Sequence, residues 1–182
     1  MTVTSPPAPA SGLVYADVPN RAIAYIIDAI LVGILNLIVG AVLGGLGFSP
    51  GTLNPDLTFT INYVGLFVVG LVGLLISAAY FIYTWTSMRA TIGMRLLGMQ
   101  IGNAGDGQAL TLNQAIRRYL ALSAPAILAQ VASPIPLIGL VLSLFALAWA
   151  IFLIYTTANS PTKQGWHDHY ANSQVVKAAR AV

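Results

Sequence analysis

Apolar positions along this chain gather into long runs broken by short polar stretches. Three runs, 22–46, 62–86 and 137–157, meet the roughly 20 mostly apolar residues that a helix needs to cross the hydrocarbon core. A fourth stretch, 112–132, is mixed: Arg117 and Arg118 occupy its second turn and Pro125 interrupts its middle. As a helix it would be about 31 Å long, and arginines near a helix end can reach the headgroups. The pattern therefore predicts an all-α membrane protein, a bundle of four transmembrane helices. Its third helix is kinked, either crossing fully or lying partway in the interface.

The polar stretches mark the ends of these elements. Thr111-Leu-Asn-Gln114 has the form of a capping box, which starts a helix there. Before it, Arg95–Ile101 and Gln108–Leu112 flank the turn-rich Asn103-Ala-Gly-Asp-Gly107, so a short hairpin is expected in this cytoplasmic loop. Residues 1–20 are rich in Pro and Ala and lack the basic start and apolar centre of a secretory signal. They are expected to be a disordered tail, followed by a transmembrane domain over 21–177 and a short tail over 178–182. The first apolar run, too long for the centre of a signal, is expected to remain in the mature protein.

Composition narrows the class. Only 7% of residues are charged, against about 25% in an ordinary soluble domain, so no soluble surface could be built. The formal net charge of +3 is too small to suggest nucleic-acid binding. The chain has no cysteine, which excludes disulfides, thiolate metal sites and cysteine nucleophiles. Charge placement is more telling. Loop 47–61 carries Asp56 and no basic residue, and Ser133–Pro136 carries no charge. With four spans, all eight basic residues fall on the side shared by both termini. The positive-inside rule makes that side the cytoplasm of a multi-pass protein in a bacterial inner membrane.

Few residues could carry chemistry. Asp28 lies about 10 Å inside the first helix, where an ionised carboxylate is expensive and commonly marks an ion or proton path. Arg21, Tyr25 and Asn36 share its face or flank it, forming a polar stripe. Two readings carry equal weight: a structural anchor paired with Arg117 or Arg118, or a titratable ion or proton site. In the tail, His167-Asp168-His169 offers two imidazoles but no third metal ligand, so an interfacial segment anchored by Trp166 and Tyr170 is the simpler reading. Titration of His167 near neutral pH is a further candidate property. No hydrolase, phosphate-loop or zinc-protease motif is present, so neither an enzyme nor a cofactor is expected. Gly139, Ser143, Ala146 and Ala150 form a small-residue stripe on the last span, read first as a contact within the bundle and second as a dimer interface.

Several segments resemble one family of bacterial membrane proteins, the RDD family. They are Arg21-Ala-Ile-Ala-Tyr-Ile-Ile-Asp28, Thr91-Ile-Gly-Met-Arg-Leu-Leu-Gly98, Gly107-Gln-Ala-Leu-Thr-Leu-Asn-Gln-Ala-Ile-Arg117, Gly165-Trp-His-Asp168 and Ala171-Asn-Ser-Gln-Val-Val176. The resemblance covers roughly residues 18 to 177. The one arginine and two aspartates that the family name describes map onto Arg21, Asp28 and Asp168. Met94 stands where family members often have lysine. The resemblance implies transport of an unassigned ligand, one member being described as a cation/proton antiporter. The expectation is a small transport-related protein with Asp28 as coupling carboxylate, biased by Arg21, Arg117 and Arg118, and with Asp168 guarding the cytoplasmic mouth. Its partners would be the bilayer, small cations or protons, and further copies of itself. The rival expectation is a non-transport accessory or assembly protein bound to a partner membrane protein.

Overall fold

The computed structural model describes residues 13–178. A short strand, β1 (Leu13–Tyr15), leads into helix α1 (Val18–Leu43), which ends in a wide π-type turn over Gly44–Phe48. A hairpin of β2 (Gly51–Leu53) and β3 (Phe59–Ile61) turns the chain back into α2 (Tyr63–Tyr83), which also ends in a π-type turn, Thr84–Met88. Then follow the one-turn helix α3 (Ile92–Leu96), strand β4 (Met99–Asn103) and helices α4 (Leu112–Val131) and α5 (Pro136–Asn159). The short helix α6 (Trp166–Tyr170) and strand β5 (Ser173–Ala178) complete it.

Side-chain oxygens set the helix starts by accepting otherwise unpaired backbone N–H groups. Asp17 caps α1, Asn62 caps α2 and Thr91 caps α3. The capping box of Thr111 and Gln114 forms as the sequence predicts.

Among the described residues, three helical segments are long and apolar enough to cross a membrane: Val18–Phe48, Tyr63–Met88 and Leu137–Asn159. Their apolar side chains face outward; Leu37 is 76% exposed and Leu137 73%. In water such surface would be untenable, whereas in lipid it is solvated. The segment predicted as a kinked span, α4, runs through Pro125 as one helix and packs chiefly on α5 and α2. Its two arginines keep it out of the strongly apolar class.

The most buried core lies at one end of the helices, where β1, β5 and β4 form an antiparallel sheet in that order. Met99, Ile101 and Val175 from the sheet, Ala16 beside it, and Trp85 and Ala115 from the helices are nearly or fully buried there. This corrects three expectations. The protein is mostly helical but not all-α. Residues 13–20 belong to β1 and the start of α1, whereas 1–12 lie outside the described residues, as do 179–182. The expected turn closes, with the Gly107 N–H donating to Asn103 O and the Asn103 N–H donating to Gln108 O, but residues 108–111 form no strand, and the ladder partner of β4 is β5, with Ile101 opposite Val175. Pairing with β5 sets the buried side chains of both strands over the helix ends, burial that a short polar loop could not supply.

The small-residue stripe on α5 is only partly internal. Gly139 is buried against Ala132 and Ala146 is half-buried, but Ser143 and Ala150 are exposed.

Candidate functional site

Two polar clusters and one cleft lie along the inner face of α1. The first cluster centres on Asp168, which is fully buried. Arg21 donates from Nη1 to its Oδ2 at 2.7 Å, and Arg118 donates from Nη1 to its Oδ1. The N–H of Gly165 donates to Oδ2 at 3.0 Å, and the Ser173 hydroxyl lies 2.6 Å from Arg118 Nη1. The rest of the Arg21 guanidinium donates to the carbonyls of Ala16 and Val175. The guanidinium of Arg118 lies 5.2 Å from the ring centre of Trp85, a cation–π contact. Residues from α1, α4, α6 and β5 thus converge on one carboxylate. Burial opposes its ionisation, but the positive charges of Arg118 and Arg21, with His167, win and hold its pKa well below the usual carboxylate range.

His167 lies inside this cluster, with Nε2 3.4 Å from Asp168 Oδ2. Burial, reinforced by the two arginines and only partly opposed by Asp168, lowers its pKa to about 4, so the imidazole is neutral at pH 7. His169 points outward, so the two histidines do not face a common point. Trp166 and Tyr170 stack with ring centres 5.3 Å apart and remain exposed, as interfacial anchors would.

The second cluster surrounds Asp28, two helical turns beyond Arg21 and 2% exposed. Its Oδ1 accepts the Tyr80 hydroxyl at 2.6 Å and the Gly93 N–H at 2.8 Å. Tyr80 in turn accepts the N–H of Ile92 at 3.2 Å. A carboxylate on α1 and a phenol on α2 thereby hold the first turn of α3. Gly93 is required for that approach, because a Cβ there would lie 2.2 Å from the Ala24 carbonyl oxygen. No arginine or lysine pairs with Asp28 among the described residues. The structure therefore corrects the expected pairing with Arg117 or Arg118: Arg118 is engaged by Asp168 and Arg117 is exposed. Arg21 and Asp168 meet; Asp28 is separate from both.

Between α1, α2 and α4 lies a cleft of about 320 Å³. Tyr25 and Val32, which flank Asp28 on α1, line it, as do Asn36, Ser77, Ser123 and Gln130. The Tyr25 ring also stacks on Phe81 with centres 6.3 Å apart.

Sequence reasoning missed Tyr80, Gly93 and Ser173, and Ser77, Ser123 and Gln130 as cleft residues. Gly93 and Ser173 did lie within the segments that carry the family resemblance, which was the available signal. Tyr80 and Gln130 had none, since a tyrosine or glutamine in an apolar run is ordinary until its neighbours are known.

The model of the RDD family matches residues 15–172. No curated protein and no solved structure matches the chain.

Proposed function

Since the chain belongs to the RDD family, we propose that this membrane protein is transport-related and exchanges small cations or protons at Asp28. The observation that carries this reading is a buried carboxylate among apolar helices with no basic partner among the described residues. Its Oδ1 is held by Tyr80 and Gly93, while Oδ2 accepts no hydrogen bond from the described residues. An intramembrane acid without a counter-ion is a site for a proton or cation by default. Asp168 is proposed as the staple that holds the helix ends in place; with both oxygens engaged by arginines, it is poorly suited to guard a mouth.

A four-pass topology with both termini cytoplasmic belongs to the same proposal. Its support is the sheet: β1 precedes α1, β4 lies between α2 and α4, and β5 follows α5, yet all three strands are hydrogen-bonded together. If α5 crosses and ends beside this sheet, the chain must first reach its far end, and α4 is the segment that does so. The basic residues then lie on the sheet side, as in the inner membrane of a bacterium.

The test is cation-dependent proton movement into proteoliposomes, read by an internal pH-sensitive dye. Asp28→Asn should abolish it, whereas Tyr80→Phe, which removes a neighbouring hydrogen bond but keeps the carboxylate, should retain it. The alternative of an accessory or assembly protein draws on the same geometry, because Asp28 also anchors α3. Under that reading neither variant changes flux, none being present, and capture of a partner membrane protein is lost instead.

A further inference from the structure

The cleft between α1, α2 and α4 has a chemistry of its own. Besides the phenols of Tyr25 and Tyr119, amide and small hydroxyl side chains line it: Asn36 from α1, Ser77 from α2, and Ser123 and Gln130 from α4. The side chains of Asn36, Ser77, Ser123 and Gln130 make no hydrogen bond to another described residue. They occupy the middle and far parts of helices whose outer surfaces are apolar, where an unpaired amide or hydroxyl costs several kcal/mol if it faces hydrocarbon. Asn36, Ser77 and Ser123 are half-buried and Gln130, at the end of α4, is exposed, so water or another polar occupant stabilises this lining.

The backbone of α2 makes room for that lining. Asn36 Oδ1 would lie 3.1 Å from a Cβ at Gly73, and Gln130 Nε2 would lie 3.8 Å from one at Gly70. Two amides, from opposite sides of the cleft, thus lie against a glycine face, with Ser77 one turn further along the same face. Among the described residues, no charged one lines the cleft. An anion would find no counter-charge there, and a cation would find full charge only at Asp28, which lies outside the lining.

We infer that this cleft is a hydrated binding site for a small uncharged solute rich in hydrogen-bonding groups, of the polyol or amide class. Asn36 and Gln130 each offer a donor and an acceptor, and Ser77 and Ser123 offer hydroxyls between them. The cavity of about 320 Å³ has room for several water molecules or one such solute. This goes beyond cation exchange at Asp28 and does not depend on it.

Because the chain contains no cysteine, single thiols can report on the cleft in the otherwise intact protein. Ser77→Cys and Ser123→Cys are near-isosteric, and Leu75→Cys places a thiol on the lipid-facing side of α2, where Leu75 is 58% exposed. In proteoliposomes, a water-soluble maleimide should label the two cleft thiols much faster than the Leu75 thiol, since the reagent needs thiolate and water. Molar glycerol or urea should slow cleft labelling several-fold, whereas raffinose at matched osmolality, too large to enter, should not. Adding Asn36→Leu should abolish the protection while leaving each cleft thiol labelled. Cleft thiols as unreactive as the Leu75 thiol would overturn the hydrated cleft. Rapid labelling that neither glycerol nor urea slows would overturn the solute site. Loss of Asp28-dependent proton movement would affect neither outcome.

Discussion

The indole N–H of Trp149 donates to the carbonyl of Ala121 at 2.8 Å, and Ala121 is the residue four before Pro125. Proline has no N–H to give to that carbonyl. A side chain of α5 therefore supplies the donor that α4 lacks, inside apolar surroundings where an unpaired carbonyl is costly. Trp149→Phe should lower stability by about 1 to 3 kcal/mol. In a Pro125→Ala background, where the helix supplies its own N–H, the same change should cost distinctly less. Thermal melts of the four proteins in detergent measure the coupling; equal costs in both backgrounds would reject it.

Gly93 should tolerate no side chain. Gly93→Ala sets a Cβ against the Ala24 carbonyl and pulls the N–H of residue 93 away from Asp28. The expected loss is about 3 kcal/mol or more, visible as aggregation on size exclusion. Gly33→Ala, with nothing within 4 Å of the new Cβ, is the matched control and should be silent.

The charge count of the Asp168 cluster orders three variants. Arg21 and Arg118 share one aspartate, and their side chains are only 12% and 6% exposed. Asp168→Asn leaves two buried positive charges side by side and should cost about 3 to 5 kcal/mol. Arg118→Met leaves a neutral pair with Arg21 and should cost less, and the double variant should be milder than Asp168→Asn alone. Chemical denaturation in mixed micelles ranks them.

Acid should destabilise the sheet end in two stages. The His167 pKa falls from an unfolded value near 6.5 to about 4 in the folded protein. As pH drops through that window the unfolded chain takes up a proton that the native chain refuses. The associated stability is complete above pH 6.5 and is lost progressively toward pH 4, by about 3 kcal/mol. Asp168, with a lowered pKa, adds a further loss only below about pH 4. His167→Gln should flatten the dependence of Tm on pH between 6.5 and 4 and leave the lower stage. A wild-type Tm constant from pH 7 to 4.5 would refute the assignment.

The sequence by itself determined what depends on neighbouring residues alone. Three apolar stretches of spanning length, the capping box at Thr111 and Gln114, the isolation of Asp28 within an apolar run and the segments shared with the RDD family could all be read from the chain. Hydropathy and capping are local, because a helix satisfies its backbone within its own turns whatever lies beside it. Tertiary structure decided the partners. β4 finds its ladder partner in the distant β5, and Arg21 and Arg118 meet at Asp168 while Asp28 turns to Tyr80 and Gly93. Which arginine reaches which aspartate, across 147 residues in the case of Arg21, depends on how the helices rotate and cross. That is set by the summed packing of side chains far apart in the chain, where no local pattern carries the information.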